Sequence, residues 1–133
     1  MMTRLARLAV LLALTAAPAL ALAADPVLGT WKTQPGDDGH FGLVTMAPCG
    51  SKLCGTLSRA FDADGAAIPS ASIGRQIVWD MQPKGAGKYE AGRIWAPDRD
   101  KTYASKMELS GDRLEVYGCV LGFCRRQSWT RVQ

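Results

Sequence analysis

The chain has 133 residues, 47% hydrophobic and 21% charged, with a formal charge of +4 at neutral pH and four cysteines. That length suits one domain, and no internal repeat or low-complexity tract divides it. A charge this small gives no electrostatic footprint for a nucleic-acid partner.

The first two dozen residues follow the plan of an export signal. Arg4 and Arg7 supply a basic start, Leu8 to Leu14 an apolar stretch, Pro18 a helix break, and Ala21-Leu22-Ala23 a small-x-small cleavage site. Cleavage is expected after Ala23, with Ala24 the neighbouring choice, giving a signal peptide over 1–23 and a single domain over 24–133. The rival is a retained anchor, but the run from Leu8 to Ala24 contains Thr15 and Pro18 and barely reaches the ~17–25 residues of a spanning helix. No cysteine stands at the cleavage site to carry a lipid. Removal takes two of the 16 basic residues and none of the 12 acidic ones, which lowers the formal charge from +4 to +2. The expected location is periplasmic or secreted, with no integral membrane segment after cleavage.

Beyond Asp25, apolar and polar residues alternate and no stretch holds a helical period, so the fold class is all-β. Strands are expected at Gly29–Thr33, Phe41–Pro48 and Cys54–Ala60, followed by a loop rich in small residues from Asp62 to Gly74. Gln76–Met81 and Lys88–Ala96 come next, separated by a turn at 83–87, and another turn covers 97–100. The last third has the clearest alternation. Tyr103, Met107 and Leu109 mark one face of Thr102–Leu109, and Leu114 and Val116 one face of Asp112–Cys119. Ser110-Gly111 turns between them, and Cys124–Val132 closes the chain. About eight short strands with short connections suit a small antiparallel β-barrel, closure of which removes exposed edges. A two-sheet sandwich is the alternative, since periodicity does not report closure.

The cysteines fall as Cys49/Cys54 and Cys119/Cys124, each pair enclosing four residues of a tight turn. Cysteines at the two feet of a hairpin bring their Cα atoms within the ~4.4–6.8 Å a disulfide needs. In an oxidising compartment two disulfides are expected; three connectivities exist, and the local one is favoured. Metal binding is the rival use, at the edge of zinc spacing, and no metal or cofactor is expected.

Two stretches carry a resemblance. Gly29-x-Trp31 opening the first strand, paired with an arginine near the last, resembles lipocalin-type barrels, in which the indole closes the floor and the guanidinium stacks over it. Arg125, Arg126 and Arg131 are the candidates for that cap, and Gly29, Trp31 and Arg131 are carried as the barrel-closing set. The second is the run from Gly118 through Cys119, Cys124, Arg125, Gln127 and Trp129 to Arg131. With Cys54-Gly55-Thr56 and Gly92 to Tyr103 it resembles the exported bacterial domain-of-unknown-function family 2147, from Asp25 to Val132. The resemblance implies a lipocalin-like barrel and no particular activity. The family pattern carries an aromatic, an Asp and a Pro where this chain has Trp95, Ala96 and Pro97, and a Gly where it has Asp100.

Catalytic sets are hard to assemble. His40 is the sole histidine and reads as a polar residue at a strand entrance, and no serine sits in a nucleophile elbow. Asp98 and Asp100 flank Arg99 in an exposed turn. Asp62-Ala63-Asp64-Gly65 opens like a calcium loop but lacks the later ligands. No enzyme activity is expected. The candidate binding residues are Tyr89, Arg93 and Trp95, read as one face of a strand, with Tyr103 beside them and Arg125, Gln127 and Trp129 on the last strand. Aromatics there would cover an apolar body while Arg or Gln grips a carboxylate or phosphate. The rival reading has these aromatics filling the core and the arginines reaching outward. The expected function is a non-enzymatic binder of a small apolar or amphiphilic molecule. The alternative is a solid-core barrel that presents its surface to an envelope protein partner.

Overall fold

The computed structural model describes residues 9–14 and 25–132. Most of the expected signal peptide, and its cleavage site, lie outside the described residues; residues 9–14 have no regular secondary structure. Among the described residues no helix is long and apolar enough to cross a membrane.

Nine strands follow in order: β1 (Gly29–Lys32), β2 (Phe41–Cys49), β3 (Lys52–Phe61), β4 (Ala67–Ile68), β5 (Gln76–Gly85), β6 (Lys88–Ala96), β7 (Lys101–Ser110), β8 (Arg113–Val120) and β9 (Phe123–Arg131). All pairings are antiparallel. β1 joins both β2 and β9, and β2 also pairs β3, so eight strands close into a ring and the sandwich alternative falls. β4 is a two-residue arm on the end of β3, the only strand in the 62–75 loop. β5 runs on through Pro83 to Gly85, where a turn over 83–87 is expected from the sequence, and the chain reverses only at Ala86-Gly87. Gly111 and Gly122 sit at φ of 59° and 81°, where a side chain is strained and glycine is not.

The alternation that marks these strands sends one set of side chains inward, and that set fills one end of the ring. Val27, Trp31, Val44, Leu53, Val78, Met81 and Leu114 are fully buried there, with Met46 and Met107 nearly so. Burial of each such side chain is worth about 1.5–3 kcal/mol, which makes this end the structural anchor. Packing is tight enough to require glycine. A Cβ on Gly55 would lie 2.7 Å from Met46 Sδ and 2.8 Å from Val44 Cγ1, and one on Gly92 would overlap Met81.

The floor is built from the segment that leads into β1 and from the end of β9. Trp31 donates its indole N–H to the Val27 carbonyl at 2.9 Å. The Arg131 guanidinium lies over the Trp31 ring, 4.3 Å from Cζ to centroid, and donates to the Leu28 carbonyl at 3.0 Å and to Asp112 at 3.1 Å. Of the three candidate arginines, Arg131 occupies this position. Tyr89 also belongs to the floor, its hydroxyl donating to Asp25 Oδ1 at 2.6 Å.

Both disulfides are local, Cys49–Cys54 and Cys119–Cys124. The strand directions put them at opposite ends: the first braces the β2–β3 hairpin beside the floor, the second the β8–β9 hairpin at the mouth.

Candidate functional site

Above the packed floor the ring is hollow. A cavity of about 1010 Å³ occupies the upper barrel and the clefts beneath the mouth loops, opening between the 33–40 and 62–75 segments. The interior is thus filled at one end and empty at the other, so the expectation of a wholly solid core does not describe it. Leu57, Ile94, Val116 and Trp129 form its apolar wall, while Tyr103, Gln127 and Arg125 stand nearer the opening. Gly118, opposite Arg125 in the β8–β9 register, leaves the wall open there. A Cβ on it would meet Ile94 and Tyr103 only at ordinary contact, 3.6 and 3.7 Å.

On β9, Arg125, Gln127 and Trp129 do share the inner face. Trp129 is buried and donates its indole N–H to Gln127 Oε1 at 3.0 Å, which fixes the amide with its carbonyl toward the tryptophan. Arg125 is exposed and forms no ion pair among the described residues. The outer face of the same hairpin is satisfied differently. Glu115 accepts from Ser128 at 2.9 Å and pairs with Arg113 and Arg126. Desolvation pushes the Glu115 carboxyl upward, but the Ser128 hydroxyl and the two guanidiniums outweigh it and hold the group below its ordinary value.

The row Tyr89, Arg93, Trp95 is not brought together. Between Tyr89 and Gly92 β6 carries one residue more than β7, a bulge centred on Ala91 at φ 59°. The extra residue reverses the parity of the strand. Tyr89 points into the floor, far from the mouth; Ile94 points into the chamber and Trp95 borders it only at the rim; Arg93 lies opposite Trp79 on the outer wall and is exposed. Trp95 is buried at the rim. The Arg75 guanidinium lies 3.4 Å from its ring centroid, and its indole N–H donates to Asp100 Oδ1 at 2.9 Å. Asp100 adopts φ 48°, a left-handed backbone unusual for a non-glycine residue, and places its carboxylate to accept from the tryptophan. For Tyr89, burial and then the hydrogen bond to Asp25 push the phenol above its ordinary value of 10.0.

Several lining residues had no signal in the sequence. Leu57 and Ile94 look like any core residue, and the 33–42 and 68–72 segments reach the mouth only through tertiary placement. His40 is at that mouth, its Nδ1 3.6 Å from Asp38. Asp62 uses its Oδ1 to accept from the Asp64 and Ala66 amides, the ordinary role of an aspartate in a turn. Among the described residues no cluster of His, Cys, Asp or Glu is arranged to hold a metal.

An eight-stranded antiparallel ring with a Trp–Arg floor and an open upper chamber is a lipocalin-like barrel. The chain belongs to the family described as "Uncharacterized protein conserved in bacteria (DUF2147)", whose model matches residues 29–131. Among solved structures it is similar to protein HP1028 of Helicobacter pylori, described as belonging to the lipocalin family. That likeness has 18% identity and a TM-score of 0.64, over 80% of this chain and 82% of that one. No curated protein matches the chain.

Proposed function

We propose that this is an exported, non-enzymatic binder of a small amphiphilic molecule. The carrying observation is the open chamber of about 1010 Å³ above a fully packed floor. A cavity of that size, apolar along its inner wall and polar at a mouth that carries Asp37, Asp38 and Asp98 as well as Arg99, Arg125 and Arg126, suits a molecule with an apolar body and a polar head. The body would lie against Leu57, Ile94, Val116 and Trp129. The head, a carboxylate or similar anion, would meet Arg125, whose guanidinium has no internal anion to satisfy it, with the Gln127 amide beside it. Export is supported by the two disulfides and by the basic-then-apolar start of the chain. Arg93 and Tyr89 have no part in this reading, and Trp95 serves as rim support.

The test is a titration with a fluorescent long-chain fatty acid, together with native mass spectrometry of gently purified protein. Saturable uptake is expected, and Gly118→Leu, which grows into the chamber from a wall position that accepts a Cβ, should reduce it by about tenfold or more while leaving the fold intact. Absence of both saturable uptake and co-purified ligand, or full uptake by Gly118→Leu, would overturn the proposal.

A further inference from the structure

Within residues 25–132 the tip of the β8–β9 hairpin gathers more exposed large apolar side chains than any other turn. Val120, Leu121 and Phe123 are 49%, 93% and 84% exposed, three large apolar side chains on one four-residue turn. The Cys119–Cys124 bridge clamps its base, and Leu121 and Gly122, at φ 50° and 81°, set its shape. β9 meets β1 only at Trp31↔Arg131 and Lys32↔Thr130, so the stretch from Phe123 to Gln127 has β8 as its one strand neighbour and is exposed on both faces. The hairpin therefore stands clear of the ring as a stiff apolar point. Two guanidiniums, Arg125 and Arg126, follow directly behind it.

We propose that this tip docks the protein on an anionic bilayer surface, with Leu121 and Phe123 entering the interface and Arg125 and Arg126 at the level of the lipid phosphates. Apolar side chains ahead of cations is the order in which an interface presents acyl chains and headgroups. A convex turn of three apolar residues is far below the ~800 Å² per partner of a stable protein interface, whereas a bilayer needs no complementary surface. Charge also orients the contact. Asp37, Asp38, Asp62 and Asp64 lie on the 33–40 and 62–75 loops, and the 97–101 turn balances Asp98 and Asp100 with Arg99 and Lys101, so an anionic surface attracts the hairpin lip and repels the two acidic loops. Phe123, Arg125 and Arg126 also border the chamber, so the two readings are separated at Leu121, which does not.

The test is co-sedimentation of the natively processed protein with vesicles of phosphatidylglycerol and phosphatidylethanolamine, or of phosphatidylcholine alone. Binding is expected to the anionic vesicles, weaker to the zwitterionic ones, and reduced by added salt. The double variant Leu121→Ser with Phe123→Ser should bind about tenfold or more weakly with unchanged circular dichroism, and Leu121→Ser alone, whose side chain lies outside the chamber, should weaken binding severalfold with its fatty-acid titration unchanged. Comparing both proteins in one processed form cancels any contribution of the N-terminal apolar run. No binding by the parent protein, or equal binding by the double variant, would overturn the proposal. A parent dimer that the same substitutions turn into monomers, without vesicle binding, would assign the tip to a second copy instead.

Discussion

Arg131 and Trp31 meet with the guanidinium carbon 4.3 Å above the indole, and this contact joins the last strand to the first. The same guanidinium also ties down the Pro26 and Leu28 carbonyls, so one side chain carries a cation–π contact and several hydrogen bonds. Arg131→Ala should lower the unfolding free energy by about 2–4 kcal/mol in guanidinium titrations. Arg131→Lys should recover little of it, because an ammonium cannot reach both carbonyls while stacking. Wild-type stability in the alanine variant would show the floor to be held elsewhere.

Tyr89 and Asp25 form a second tie between the floor and the residues before β1. Tyr89→Phe should cost about 1–2 kcal/mol. The native phenol titrates above its ordinary 10.0, so its contribution is complete below that pH and is lost as pH rises toward the native value. Chemical denaturation across the alkaline range should show stability falling in the parent and a flatter limb in Tyr89→Phe.

Glu115 has the opposite sign. Its native carboxyl titrates below its ordinary 4.5, so its contribution is present above that pH and is lost as pH falls through the native value. Glu115→Gln should be less stable than the parent at neutral pH, with the difference shrinking in acid. Parallel acid limbs for the two proteins would rule out this role.

Opening the mouth disulfide by Cys119→Ser with Cys124→Ser should cost about 2 kcal/mol, the entropy of so short a loop. It should also make the Leu121–Phe123 tip a cleavage point for chymotrypsin. Continued resistance at native concentrations of protease would mean the turn is rigid without its bridge.

The architecture was legible because alternation is a local property. Tyr103, Met107, Leu114 and Val116 each declare a face, and turn residues separate the runs. The cysteine spacing likewise carried the local pairing. What failed was the Tyr89–Arg93–Trp95 row, since a single left-handed residue at Ala91 inverts every side chain on one side of it and alanine gives no warning. The chamber was hidden for a different reason. Leu57 and Ile94 are as apolar as Leu53 and Val78, and only the packing of the whole ring decides which pair has neighbours across the barrel.

The meeting of β9 with the segment before β1 sets when the barrel can be finished. Arg131 and the Leu28 carbonyl are 103 residues apart in sequence, so the ring is sealed by one of the longest loop closures the polypeptide contains. Neighbouring hairpins form from local pairings, but Trp31 finds its cover only once the final strand has arrived. Until β9 has docked on β1 the ring remains an unsealed curl with its tryptophan uncapped.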